Sequence, residues 1–338
     1  MTAFEESSEK PISEECNHGV MRHAGTESSD SGWAIVVNEL TKSFGNLHAV
    51  DDVSFRVPSG EIFGFIGPNG SGKTTVMKLI LGLLSPDSGT VTIEGIDVFA
   101  EGKAAKAHVG YLPERPSFYD NLTPVQTLKY FARLKGVLID PHSMLTEVGL
   151  GHATDRLVGT FSEGMTQLLG VAQAMIGDPD VYVFDEPTSA LDPRWSKRVR
   201  EKIKTLNGNG ATIFLSSHDL SEVQHLCDSV AIIEGGRLIA TDTLTALSEE
   251  SGVDHRLVLT MPDLGRNVEN FLANLEDVER VERDGDTLTV TSPIYCRAKI
   301  ISSLVESGYN ITEVRTFEPT LEDTFIEVLE MNESEGER

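Results

Sequence analysis

Positive charge is scarce in this chain. Lys and Arg number 28 against 53 Asp and Glu over 338 residues, a formal charge of −25. That balance argues against nucleic acid as a partner, because phosphate backbones are gripped by patches of Lys and Arg. Cysteine is scarcer still. Cys16, Cys227 and Cys296 lie far apart and form no C-x-x-C pair, which points away from a disulfide framework or a zinc site and towards reduced thiols. Cys16 does fall near His18 and His23, a chance cluster in a polar tail rather than a metal site. Long apolar runs are missing: none approaches the ~18 residues that a membrane helix needs. The first thirty residues hold no apolar stretch of the signal-peptide kind. The expectation is a cytoplasmic chain that serves a membrane, if at all, through a partner. The carboxylates are spread along the whole length, as in proteins of salt-loving cells, where salt screens their self-repulsion.

Residues 1–32 are rich in Ser, Glu and Gly with little periodicity, a composition that cannot offset the entropy of ordering, and are expected to be disordered. From Trp33 the pattern changes. "WAIVVNEL", "VSFRV" and "EIFGFIG" read as strands, and "KTTVMKLILGLL" has helical spacing without a breaker. Residues 120–180 look helical, with Thr123 as N-cap and Pro124 at the first helical position. "VYVF" at 181–184 and "ATIFL" at 211–215 are apolar at nearly every position, which suits strands buried on both faces of a largely parallel sheet. "SVAIIEGGRLIATDT" reads as a hairpin turning at Gly235-Gly236. Beyond residue 245 the pattern is βαββαβ, the order of a ferredoxin-like sandwich. A closing helix there starts with Thr320 and Asp323 as a capping pair. The expected organisation is an α/β domain over 33–245, a small α+β domain over 246–331 and a frayed tail at 332–338.

The stretch "GPNGSGKTT" carries the chemistry. Gly67, Pro68, Asn69, Gly70, Ser71, Gly72, Lys73 and Thr74 fit the phosphate-loop pattern GxxxxGK followed by Ser or Thr, and Thr75 continues into the helix. Glycines let the backbone fold into a nest of amides, and the helix N-terminus adds positive potential. Lys73 is placed to reach the β- and γ-phosphates of a nucleotide and Thr74 to ligate Mg²⁺. "VYVFDEP" brings Asp185 and Glu186 to the carboxyl edge of the sheet, where open α/β folds bind ligands. There Asp185 can hold Mg²⁺, and Glu186 can polarise the water that attacks the γ-phosphate. "SSHD" closes the next strand in the same way and offers His218.

In this order the motifs resemble one family, the ATP-binding subunits of ABC transporters, over about residues 34–245. "FSEGMTQLLGVAQAMIGDP" looks like the family's signature segment, "SALD" at 189–192 its D-loop, and Ser217-His218 its switch histidine. The resemblance implies a P-loop NTPase ABC cassette: a mixed sheet core, an antiparallel β subdomain and a helical subdomain at about 120–180. It implies that Phe44 stacks on adenine, and that Ser162, Gly164 and Asp192 serve a nucleotide held between two copies. Glu186 and His218 are then catalytic, with Glu114 where a glutamine usually senses Mg²⁺ and water. ATP and Mg²⁺ are the implied ligands. A second ATP-binding subunit, in a head-to-tail homodimer, and a separate polytopic permease are the implied partners, at the cytoplasmic face of the membrane.

Three positions depart from the family's pattern: Glu114, Glu163 in place of a glycine, and Met165 in place of a glutamine. The "LPE" and "SEGM" forms and the late "LEDTF" resemble the exporter branch whose ATPase and permease are separate chains. Two other readings stand beside this one. A nucleotide-gated regulatory module would hardly hydrolyse ATP, slowed by Glu114 and Glu163. A soluble ABC ATPase acting on ribosomes or DNA usually carries a second cassette or a long coiled-coil insertion, and neither is found in this sequence. The C-terminal domain could brace the dimer, regulate it or cap the cassette.

Overall fold

The computed structural model describes residues 32–189, 191–244, 246, 256–262, 268–275 and 278–317. The chain divides into two units, Met1–Ser31 and Gly32–Arg338, and the first lies wholly outside the described residues. So do the tail at 332–338, the closing helix with Thr320 and Asp323, and Ala190 of the "SALD" stretch.

Strands β1 (Trp33–Phe44) and β2 (Leu47–Pro58) form a long hairpin, Phe44 opposite Leu47. With β4 (Ser88–Ile93) and β5 (Ile96–Asp97) they make an antiparallel sheet in the order β2-β1-β4-β5. Between these strands run β3 (Ile62–Ile66) and helix α1 (Lys73–Ile80). Next along the chain are α2 (Gly102–Ala107), β6 (Val109–Leu112) and the helical stretch, α3 (Pro124–Lys135), α4 (Pro141–Glu147) and α5 (Glu163–Ala174). The cassette is completed by β7 (Val181–Asp185), α6 (Pro193–Gly208), β8 (Thr212–Ser217), α7 (Leu220–Leu226), β9 (Ser229–Glu234) and β10 (Arg237–Thr243). A six-stranded mixed sheet orders them β10-β9-β3-β8-β7-β6, parallel except for the antiparallel edge strand β10.

Side-chain alternation explains why the central strands are apolar along their middles. Ile62 and Ile66 of β3, Tyr182 and Phe184 of β7, and Ile213 and Leu215 of β8 pack into the core that α5 and α6 share. Phe63 and Phe65, Val181 and Val183, and Phe214 enter the opposite core, with α1 and the antiparallel sheet. Successive strand residues point to opposite faces, so burial on both faces keeps the middle of each strand apolar and leaves polar residues such as Asp185 and Ser216 to the ends. Phe55 of β2 joins the two sheets, its ring stacked on Phe63 at 5.9 Å, Phe65 at 5.4 Å and Phe214 at 5.8 Å.

Helix boundaries follow local chemistry. Thr123 and Gln126 form a full capping box ahead of α3, and Pro124 takes the first helical position. Helix α1 is shorter than its spacing implies, ending at Ile80 rather than running through Leu84. The amides of Leu83 and Leu84 both reach back to the Lys78 carbonyl, which satisfies the last turn and stops the helix.

In the C-terminal region β11 (Arg256–Thr260), α8 (Val268–Ala273), β12 (Arg280–Asp284), β13 (Thr287–Thr291), α9 (Arg297–Glu306) and β14 (Glu313–Phe317) follow the expected βαββαβ order. All pairings are antiparallel in the order β12-β13-β11-β14, the ferredoxin-like arrangement. Leu257, Leu259, Leu288 and Val290 meet Val268, Leu272, Ile300 and Leu304 in a core of their own.

Phe214 lies at the centre of the ring cluster and is fully buried. The Phe214→Ala substitution is expected to lower the unfolding free energy by about 3–5 kcal/mol. A urea titration of the parent and variant checks it, and an unchanged midpoint would show that the two sheets are not held together through this ring.

Candidate functional site

Strand β3 ends at Ile66, and the loop from Gly67 to Gly72 leads straight into α1. Two neighbours clamp the loop. The Gly236 amide donates to the Ser71 carbonyl at 2.9 Å, and a Cβ on Gly72, which stands at φ +110, would lie 2.5 Å from the Ala49 carbonyl. Only a residue without a side chain can take that backbone conformation so close to β2. Helix α1 has no side-chain cap and no acidic residue in its first turn. Its leading amides and the positive end of its dipole are therefore uncompensated, the condition that suits an anion. Ser71 Oγ, buried beside Gly67, has no hydrogen-bond partner within the protein.

A cleft of about 520 Å³ opens beside the loop. It is lined by Asn69, Gly70, Gly72, Lys73, Thr74 and Thr75, and equally by Phe44, Glu114, Asp185, Glu186 and His218. Gly67, Pro68 and Ser71 form the part of the loop that does not face it. Phe44 is half-exposed, with the Lys42 ammonium 5.9 Å from its ring centroid. The Lys73 ammonium donates to the carbonyls of Gly67 at 2.5 Å and Pro68 at 3.2 Å. Burial lowers its pKa from the ordinary value, and the carboxylates of Glu186 and Asp185 pull it back up.

Asp185 closes β7 and Ser216 stands opposite it in the parallel register of β8. Ser216 Oγ donates to Asp185 Oδ1 at 2.7 Å and accepts from the Glu186 amide at 2.9 Å. Burial raises the Asp185 pKa and nearby Glu114 adds to the rise, while the Ser216 bond and Lys73 act the other way. Glu186 adopts φ +48, a left-handed conformation that costs a non-glycine residue of order 1 kcal/mol. Its Oε2 pairs with His218 Nδ1 at 2.8 Å. An ionised carboxylate only accepts, so this contact assigns the imidazole proton to Nδ1.

Three expected site residues stand apart from this cleft. Ser162 caps α5, its Oγ accepting from the Met165 amide at 3.3 Å, and Gly164 is buried against the Trp195 ring. Asp192 caps α6, accepting from the amides of Arg194 at 3.0 Å and Trp195 at 3.1 Å. The cleft also has members that the sequence reading does not name as site residues: Leu47, His48 and Ala49, Ser189 of the "SALD" stretch and the Gly235-Gly236 turn, with Ser216 behind the carboxylates. Only strand pairing could have signalled Ser216, since nothing in its local sequence distinguishes it from Ser217.

The donor set fits a hard cation. Thr74, Asp185 and Glu114 offer oxygen alone, and among the described residues no three His, Cys, Asp or Glu side chains converge on a metal. A cation held by one or two protein oxygens completes its shell from phosphate and water, as Mg²⁺ does.

Comparison with known proteins gives this geometry its context. The family model described as ABC transporter matches residues 50–189. The bacitracin transport ATP-binding protein BcrA of Bacillus licheniformis is 36% identical over 311 residues, 87% of this chain and 97% of that one. A Nod factor export ATP-binding protein I from Mesorhizobium japonicum is 34% identical, covering 84% of this chain and 85% of its own. A solved ATP-binding subunit of an ABC transporter aligns at a TM-score of 0.60 with 30% identity, over 65% of this chain and 94% of that one. Likeness that runs along nearly the whole length of such relatives, and not over the loop alone, has one meaning: the chain belongs to the ATP-binding subunits of ABC transporters.

Proposed function

We propose that this subunit is an Mg²⁺-dependent ATPase that drives a separate membrane permease from the cytoplasmic face, in the direction of export. The observation that carries the reading is the Glu186–His218 pair at 2.8 Å, set in the same cleft as Lys73 and the phosphate loop. With Oε2 engaged by His218, the other Glu186 oxygen is left to accept a proton from water. That water's oxygen bonds to the γ-phosphorus as the bond to the bridging oxygen breaks, ADP departs, and the proton stays on Glu186. The Gly67 and Pro68 carbonyls take two donors of the Lys73 ammonium and leave its third N–H, with the charge, for the phosphate oxygens. Thr74 and Asp185 are the side chains that would hold Mg²⁺, whose charge offsets that of the β- and γ-phosphates. Glu114 lines the same cleft and takes the place of a glutamine as an acceptor towards the water or the metal.

Ser162 is exposed at the start of a 12-residue helix and does not line its own chain's cleft. We read it as half of a shared site: in a head-to-tail homodimer Ser162 and the Gly164 amide meet the γ-phosphate of the second copy. Glu163 sits exposed in the first helical turn, where a carboxylate favours the helix dipole. On this reading the permease is a separate chain, in keeping with relatives named as ATP-binding proteins of transport and export systems. Export agrees with the names of relatives, which include Nod factor export and, in Streptomyces coeruleorubidus, daunorubicin resistance.

Three outcomes are expected. Glu186→Gln should abolish turnover while ATP still binds, seen in a phosphate-release assay beside equilibrium dialysis; turnover at the parental rate would remove Glu186 from the role of base. Phe44→Ala should weaken ATP binding by about 1–3 kcal/mol, the worth of one stacked base, and leave tripolyphosphate binding unchanged. An equal loss for both ligands would place Phe44 in the scaffold instead. Chelation by EDTA should stop hydrolysis and added Mg²⁺ restore it, whereas metal-independent turnover would contradict the cation's place beside Thr74 and Asp185.

A further inference from the structure

Helix α5 buries one amide among apolar neighbours. Gln167 is 3% exposed, and Met165, Leu168, Leu169 and Val171 around it all belong to the apolar core beneath the sheet. A buried amide is costly unless paired, and a leucine of similar size would fill the space without that cost. What Gln167 supplies is a donor: its Nε2 bonds the Pro187 carbonyl at 3.0 Å.

Pro187 is the residue after Glu186. The base is thus gripped on both sides, its own amide by Ser216 and the next carbonyl by Gln167, while its backbone is held at φ +48. A strained conformation persists only where its surroundings over-determine it. A second contact runs the same way. A Cβ on Gly164 would overlap the ring of Trp195, and that ring is backed by the Arg198 guanidinium at 5.1 Å. Both contacts tie the first turns of α5 to the segment between Glu186 and Trp195.

We propose that Gln167 is a positioning residue for Glu186, making the set of the base follow the N-terminal end of α5. The inference rests on the reading above, in which that end of α5 meets the nucleotide of a second copy. Ser162 lies five residues before Gln167, about 7.5 Å along the helix axis. A displacement of that end by the other copy's phosphates is then passed through one hydrogen bond to the carboxylate of this copy. The two sites of the dimer are coupled inside each chain as well as across the seam.

Gln167→Leu removes the donor and keeps the volume. Steady-state hydrolysis of Mg-ATP by the full chain, with a thermal melt alongside, tests the role. The expected result is a kcat at least tenfold below the parent, a KM within twofold and an unchanged or higher melting midpoint. A kcat within twofold of the parent overturns the proposal. So does a fall in kcat accompanied by a raised KM and a lowered midpoint, the mark of a merely structural residue. Should Gln167→Leu fail to fold, Gln167→Met makes the same removal with an unbranched side chain and is held to the same outcomes. A parent chain that does not hydrolyse ATP overturns the functional reading, and this one with it.

Discussion

One cation faces two carboxylates at the heart of this molecule. Lys73 lies buried between the loop carbonyls and the acidic end of β7, where desolvation works against its charge and Glu186 and Asp185 sustain it. The arrangement resolves the contrast between a chain of formal charge −25 and a loop built to hold phosphates. Surface carboxylates are screened beyond about 10 Å at ordinary ionic strength. The loop amides, the helix end and Lys73 act at contact distance, where that screening does not reach.

The rest of the cassette holds those few groups in place. Parallel strands β3, β7 and β8 are buried on both faces, so their ends are fixed by two cores at once. The β7–β8 register brings Ser216 beside Asp185, and that hydroxyl orders both carboxylate residues. The loop cannot relax away, because β2 and the β9–β10 turn leave no space around Gly72. Strain at Glu186 is tolerated because hydrogen bonds on either side of it are satisfied.

Much of this was legible beforehand. The phosphate loop, the acidic pair after an apolar strand, the proline-led helix α3 and the βαββαβ order are all local patterns, and each falls where its pattern places it. The length of α1 was not legible: "KTTVMKLILGLL" has helical spacing throughout, and the stop depends on backbone bonds to Lys78. Ser162, Gly164 and Asp192 show a different limit. The resemblance gives them to a nucleotide held between two copies, and within one folded chain they cap helices or pack against Trp195 outside the cleft.

Composition and spacing were therefore enough for the fold class, the loop chemistry and the identity of Asp185 and Glu186, because glycine tolerance, strand alternation and helix capping act over a few neighbouring residues. Strand order decided the remainder. His218 meets Glu186 because β8 lies beside β7, and Gln167 meets Pro187 because α5 packs on the ends of the same strands. Such contacts join residues 20 or more positions apart, which no local pattern encodes. They exist only once two hydrophobic cores have set the sheet between them.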